Sequence, residues 1–128
     1  MDSRQRSPAE CLPLTPALFH VLLSLVDGQK HGYAILKEVT ARSDGSVALS
    51  TGTLYGIIKR LLADGLITQS ALGSTDRRNA YRLTAFGRKV ARAEAERLEG
   101  MLRTARIKKL IPRHRRSVAK EPSLPPEG

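Results

Sequence analysis

The period of the apolar positions changes repeatedly along the chain, and each change marks an element. Residues 17–26, AlaLeuPheHisValLeuLeuSerLeuVal, are apolar nearly all round, the pattern of a helix buried on most sides. Thr15-Pro16 in front of it reads as an N-cap followed by proline in the first turn, and Asp27-Gly28 ends it. Between Gly32 and Ala41, residues Tyr33, Ile35, Leu36, Val39 and Thr40 recur at i, i+3, i+4 spacing, which predicts a second helix with one buried face. Ser43 to Ser46 is a loop, and Val47-Ala48-Leu49 is expected as a short extended piece. Ser50 caps a third helix that runs to Asp64, with Gly65 in the C′ position. Leu54, Ile57, Ile58, Leu61 and Leu62 form its apolar stripe. The opposite arc holds Gly52, Thr53, Tyr55, Gly56, Lys59, Arg60 and Ala63.

After Gly65 the period becomes two: Leu66, Thr68, Ser70 and Leu72 alternate with Ile67, Gln69 and Ala71, which predicts a strand. A polar turn, Gly73 to Asn79, carries Arg77-Arg78 at its tip, and Ala80-Tyr81-Arg82-Leu83 returns as a second strand. Helix, turn, helix, hairpin is the order of a winged helix-turn-helix. The expected fold is therefore mainly α with a two-stranded wing. Thr84 caps a long last helix, Ala85 to about Lys109, stopped by Pro112. That helix is roughly 37 Å long at 1.5 Å per residue, longer than a small domain is wide. Phe86, Val90, Ala91, Ala93, Leu98, Met101, Leu102 and Ala105 give it apolar surface. Glu94, Glu96, Glu99 and many arginines fill the rest. A projecting helix with an apolar stripe calls for a partner helix, and a second copy of the chain is the simplest source. The expected organisation is a flexible arm at 1–13, a DNA-binding domain at 14–84, a dimerisation helix at 85–111 and a basic, Pro-rich disordered tail at 112–128.

Composition narrows the function. The 128 residues include 22 Lys plus Arg against 12 Asp plus Glu, a net charge of +10, which implies a polyanionic partner. The surplus is not uniform. Seven cations precede position 77 and 15 lie from Arg77 to Lys120, a stretch with only Glu94, Glu96 and Glu99 as acids. The single cysteine, Cys11, fits a reducing cytosol. The first residues lack the apolar run of a signal peptide, and no apolar run is long enough for a bilayer. His20, His31 and His114 have no metal-ligand spacing, and no nucleophile elbow, P-loop or dinucleotide fingerprint occurs. No catalysis, metal, cofactor or membrane role is expected, and the localisation is expected to be cytoplasmic, on the nucleoid when DNA is bound.

Four short motifs occur in a fixed order: His31-Gly32-Tyr33-Ala34-Ile35, Gly52-Thr53-Leu54-Tyr55, Lys59-Arg60-Leu61 with Gly65-Leu66-Ile67, and Tyr81-Arg82-Leu83-Thr84-Ala85-Phe86-Gly87. With them the chain, from Leu14 to about Leu110, resembles the PadR family of bacterial transcriptional regulators, in particular its smaller subfamily with one C-terminal dimerisation helix. The resemblance implies a winged helix, a homodimer held by the last helix, and a repressor relieved by an effector. The chain has no Trp, so the tryptophan stacking of ligands in multidrug-sensing relatives has no counterpart.

In a helix-turn-helix the second helix enters the major groove with its N-terminal half, here Ser50 to Lys59. Its start offers free N–H groups to a phosphate. Ser50 and Thr51 add hydroxyls, though Ser50 has capping as its plainer role. Gly52 and Gly56 let the backbone approach, Thr53 meets a base edge or thymine methyl, and Lys59 meets phosphate. Tyr55 either reaches phosphate or packs on the second helix, and Arg60 either joins that face or pairs with Asp64. Arg77 and Arg78 are assigned to the minor groove or flanking phosphates. Tyr33 is expected half-buried, with phosphate contact second, and Lys30 and His31 are further phosphate candidates. Phe19, Leu22, Leu23, Val90, Leu98, Met101, Leu102 and Ala105 are assigned to dimerisation and to a cavity for a small-molecule effector. The expected partners are a pseudo-palindromic double-stranded DNA operator and a second copy. The alternative is a basic winged-helix module that binds RNA or protein without reading DNA sequence.

Overall fold

The computed structural model describes residues 6–70 and 79–112. Four helices and three short strands follow in the order α1 (Pro16–Ser24), β1 (Lys30–His31), α2 (Gly32–Arg42), α3 (Thr51–Ala63), β2 (Ile67–Ser70), β3 (Ala80–Leu83) and α4 (Ala85–Ile107). The helix starts are where their caps require. The Thr15 hydroxyl accepts from Leu18 N–H at 3.1 Å, and the Ser50 hydroxyl accepts from Thr53 N–H at 3.0 Å. At the end of α3, Gly65 N–H donates to Leu62 O and Leu66 N–H to Leu61 O, with Gly65 at φ +77°. This double closure needs a left-handed residue, which glycine supplies without a Cβ clash.

Helix α1 is shorter than its apolar run. Leu25 and Val26 donate to Leu22 O and Leu23 O, three residues back, so the last turn tightens out of α geometry while Leu25 stays buried. The wing is part of a three-stranded sheet and not a two-stranded one. The antiparallel order is β1-β3-β2, with Lys30 opposite Tyr81 in one pair and Ile67 opposite Leu83 in the other. Two residues are too few to show a period, which is why β1 escapes a reading by pattern. Val47-Ala48-Leu49 forms no strand; Val47 and Leu49 are half-buried and pack against the core instead.

The chain divides into two compact units after Ala95. In the first, the core gathers Val21, Leu22 and Leu25 from α1, Ile35 and Val39 from α2, Leu54, Ile58 and Leu61 from α3, Leu66, Ile67 and Tyr81 around the sheet, and Val90 and Ala91 from α4. It is almost wholly aliphatic, as the composition demands. Glu94, expected among the solvated positions of α4, is 2% exposed. Residues 8–11, placed by their polar and proline content in a flexible arm, form a 3₁₀ turn, and Cys11, Leu12 and Leu14 pack on the core. In the second unit, Met101, Leu102, Ile107 and Leu110 stand exposed. No helix among the described residues is long and apolar enough to cross a membrane.

Candidate nucleic-acid interface

The outward face of α3 collects most of the residues that the helix-turn-helix reading selects. Thr51, Gly52, Thr53, Gly56 and Lys59 are all exposed. A Cβ placed at Gly52 or Gly56 would meet nothing within 4 Å, so neither glycine is demanded by the packing of this chain. A helix interior disfavours glycine by about 1 kcal/mol relative to alanine. Two such residues on one open face leave room for a surface that must come close to the backbone. The Ser50 hydroxyl is engaged at the helix start, accepting from Thr53 N–H and donating to Thr53 Oγ1 at 3.0 Å.

The charged neighbours separate into free and paired. Arg60 Nε lies 3.7 Å from Asp64 Oδ2, one turn on, and is drawn toward the C-terminal end of α3. Lys30 Nζ lies 2.8 Å from Asp27 and 3.7 Å from Glu38, with its side chain 19% exposed. That bridge neutralises it and holds it at the α1–α2 junction, which weakens its case as a phosphate contact. The Lys30 ammonium in turn holds the Asp27 carboxyl below its ordinary pKa. Lys59 has no carboxylate partner among the described residues.

Of the two tyrosines, one departs from expectation. Tyr33 is 66% exposed, not half-buried, because its position on α2 points past the core flank formed by Gly32, Ile35 and Val39. Lys37 Nζ sits 5.5 Å from its ring centroid. Tyr55 is 45% exposed and packs on α2, one of the two roles considered for it. Its ring tip fills the space beside Gly32, where a Cβ would overlap the hydroxyl, and its flank remains open. No pattern in the sequence marks Gly32 as the seat of Tyr55; the contact is tertiary.

Arg77 and Arg78 lie outside the described residues. Among the residues grouped with a dimer face, Leu22 and Val90 are wholly buried in the core of the first unit, so neither is available to a partner. Phe19 is half-buried against that same core, and Leu23 is 41% exposed. In the second unit Met101 and Leu102 are exposed, with Leu98 and Ala105 half-buried. His20, Leu23, Ser24, Val26, Asp27, Glu38, Val39 and Arg42 line an open groove of about 480 Å³ between α1 and α2; of these only Leu23 was among the residues assigned to dimerisation and an effector cavity.

Comparison with known proteins agrees with this architecture. The sequence profile described as the transcriptional regulator PadR-like family matches residues 21–93, more than half of the chain. No curated protein matches it in sequence. A transcriptional regulator from Clostridium thermocellum is similar at 29% identity and a TM-score of 0.59, over 74% of this chain and 92% of that one. Halobacterium salinarum RosR is similar at 26% identity and a TM-score of 0.57, over 78% and 92%. A PadR family transcription regulator from Clostridium difficile shares the fold at 22% identity and a TM-score of 0.61, over 73% and 98%. The chain thus belongs to the PadR-like family of transcriptional regulators, which are DNA-binding proteins and not enzymes.

Proposed function

We propose that the chain is a sequence-specific repressor that binds a pseudo-palindromic operator as a homodimer and is released by a small-molecule effector. The observation that carries the reading is the open face of α3, where Gly52, Thr53, Gly56 and Lys59 stand exposed with no Cβ contact at either glycine. Such a face fits the floor of a major groove, where base edges and a thymine methyl are read at short range. It carries little charge, so affinity comes from basic parts elsewhere in the chain and sequence preference from this helix. The exposed Met101, Leu102, Ile107 and Leu110 supply apolar surface for a second copy. A two-fold dimer would set two α3 helices about one DNA turn apart.

The test is a footprint on the DNA upstream of the protein's own gene, with the mass of the free protein measured by light scattering. A protected site with two-fold symmetry and a dimeric mass are expected. Equal affinity for a scrambled duplex, or a preference for RNA, would favour a basic module without sequence readout.

A further inference from the structure

Two tyrosine–lysine pairs with the same spacing stand side by side on α2 and α3. On α2, the Lys37 ammonium sits over the Tyr33 ring at 5.5 Å. On α3, Tyr55 and Lys59 are likewise four residues apart, and both are exposed. The two helices meet where the Tyr55 hydroxyl rests against Gly32, the residue immediately before Tyr33.

The flanks of α2 fix which way the first pair faces. Glu38, Val39 and Arg42 line the groove toward α1. At about 100° per residue, Gly32 and Leu36 come next around the helix, Tyr33 lies beyond them on the flank away from α1, and Lys37 stands at the outward pole, opposite the buried Gly32, Ile35 and Val39. The acids of the neighbourhood lie elsewhere. Asp27 and Glu38 hold Lys30 and Arg42, and Asp64 holds Arg60. No described carboxylate pairs with Lys37 or Lys59. Two ammonium groups without a described carboxylate partner, each one helical turn from an exposed tyrosine, therefore stand on the solvent-facing sides of two helices that meet at Gly32 and Tyr55.

We propose that Tyr33, Lys37, Tyr55 and Lys59 form one strip that holds a run of DNA backbone phosphates, with Lys37 as a phosphate-binding residue beyond the recognition helix. The Tyr33 ring attracts the ammonium through its negative face and holds a long flexible side chain in one region of space. Each ammonium has three donors for phosphate oxygens, and each phenol adds one. The first helix of a helix-turn-helix crosses the DNA backbone, which is where the α2 half of the strip lies. Such contacts position the protein and carry no sequence information.

The proposal rests on the DNA-binding reading, and the experiment separates the two. Binding of the full chain to a random-sequence duplex is followed by fluorescence anisotropy over a range of salt. Lys37→Gln is expected to weaken binding and to flatten the slope of log affinity against log salt by about one. Lys37→Arg restores the slope. Tyr33→Leu weakens binding and leaves most of the slope, because the ammonium is still present but less well placed. Arg42→Gln, on the α1 flank, keeps the slope of the unmodified protein. An unchanged slope for Lys37→Gln in a protein with a native circular dichroism spectrum overturns the strip and leaves the DNA reading intact. So does an Arg42→Gln slope as flat as that of Lys37→Gln. Failure of the unmodified chain to bind any duplex overturns both.

Discussion

Gly87, in the first turn of α4, lies against the backbone carbonyl of Leu66, close enough that a Cβ at position 87 would overlap the oxygen. The contact belongs to a compact joint. Thr84 N–H donates to Leu66 O at 3.1 Å, the Thr84 hydroxyl reaches Gly65 O at 2.7 Å, and Gly87 N–H donates to the Thr84 hydroxyl oxygen at 2.8 Å. The end of α3 and the start of α4 are thereby held as one piece. Two motifs that look unrelated in the sequence, Gly65-Leu66-Ile67 and Thr84 to Gly87, are the two halves of this joint.

Gly87→Ala is therefore expected to destabilise the fold by about 3 kcal/mol, at the upper end of ordinary overpacking because the obstacle is backbone and not a movable side chain. Thr84→Ala removes a helix cap and should cost about 1 kcal/mol. Urea unfolding followed by circular dichroism measures both. A Gly87→Ala midpoint within error of the unmodified protein would mean that the joint opens without cost.

What the sequence made legible follows the range of the interaction involved. Caps and helix ends depend on neighbours within one turn, and Thr15-Pro16, Ser50 and Gly65 mark them where the structure has them. The exposed arc of α3 likewise follows from one period. Pairings between distant segments leave no such trace. β1 was invisible because its two residues gain their strand character only from β3. Tyr33 was placed on the wrong side of the burial boundary because an aromatic residue beside an apolar stripe reads as part of it. The buried Glu94 shows the converse, since a charge in a helical pattern reads as solvated. The seats of Tyr55 at Gly32 and of Leu66 at Gly87 are illegible for a similar reason, because a glycine reports only its own missing side chain.

Arg6 ties the segment before α1 to the end of α3. Its guanidinium donates to Asp64 O at 2.6 Å and lies over the Phe86 ring at 5.2 Å from the centroid. A cation at the carbonyl end of α3 is also favoured by the helix dipole. Arg6→Ala should lower stability by about 1.5 kcal/mol, the usual range for a charge-assisted hydrogen bond. Arg6→Lys should recover only part of it, because an ammonium makes the bond without stacking its plane on Phe86. Thermal melts of the two variants check the order, and equal melting temperatures for all three proteins would refute the tie.

Cys11 gives a pH dependence with a defined sign. Burial raises the pKa of its thiol, partly opposed by the Arg6 charge. A raised folded pKa means that the neutral thiol is favoured in the native state. The associated stability is fully present below the ordinary thiol range and is lost as pH rises through the folded value. Only the thiolate is nucleophilic, so alkylation by iodoacetamide at neutral pH should be slower than for a free cysteine peptide. The rate should climb only at higher pH than it does in the peptide. Cys11→Ser should remove the alkaline loss of stability attributable to this group. Alkylation as fast as the peptide's at every pH would contradict the burial.

The contact between Gly32 and Tyr55 allows affinity and stability to be varied separately. A methyl group at position 32 would meet the far end of the Tyr55 side chain and not backbone, so the ring can swing away. Alanine is also favoured over glycine in a helix by up to about 1 kcal/mol, which offsets the lost packing. Gly32→Ala should therefore melt within a few degrees of the unmodified protein. The displaced Tyr55 no longer stands beside Lys59 and Gly56, so duplex affinity should fall about tenfold, equivalent to about 1.4 kcal/mol. Tyr55→Phe keeps the ring in its seat and removes only the hydroxyl. It should lose less affinity than Gly32→Ala if the ring position matters more than the single donor. Anisotropy and melting curves on the same samples decide it. A Gly32→Ala protein that binds normally would mean that Tyr55 serves the α2–α3 packing alone and that the interface begins at Gly52.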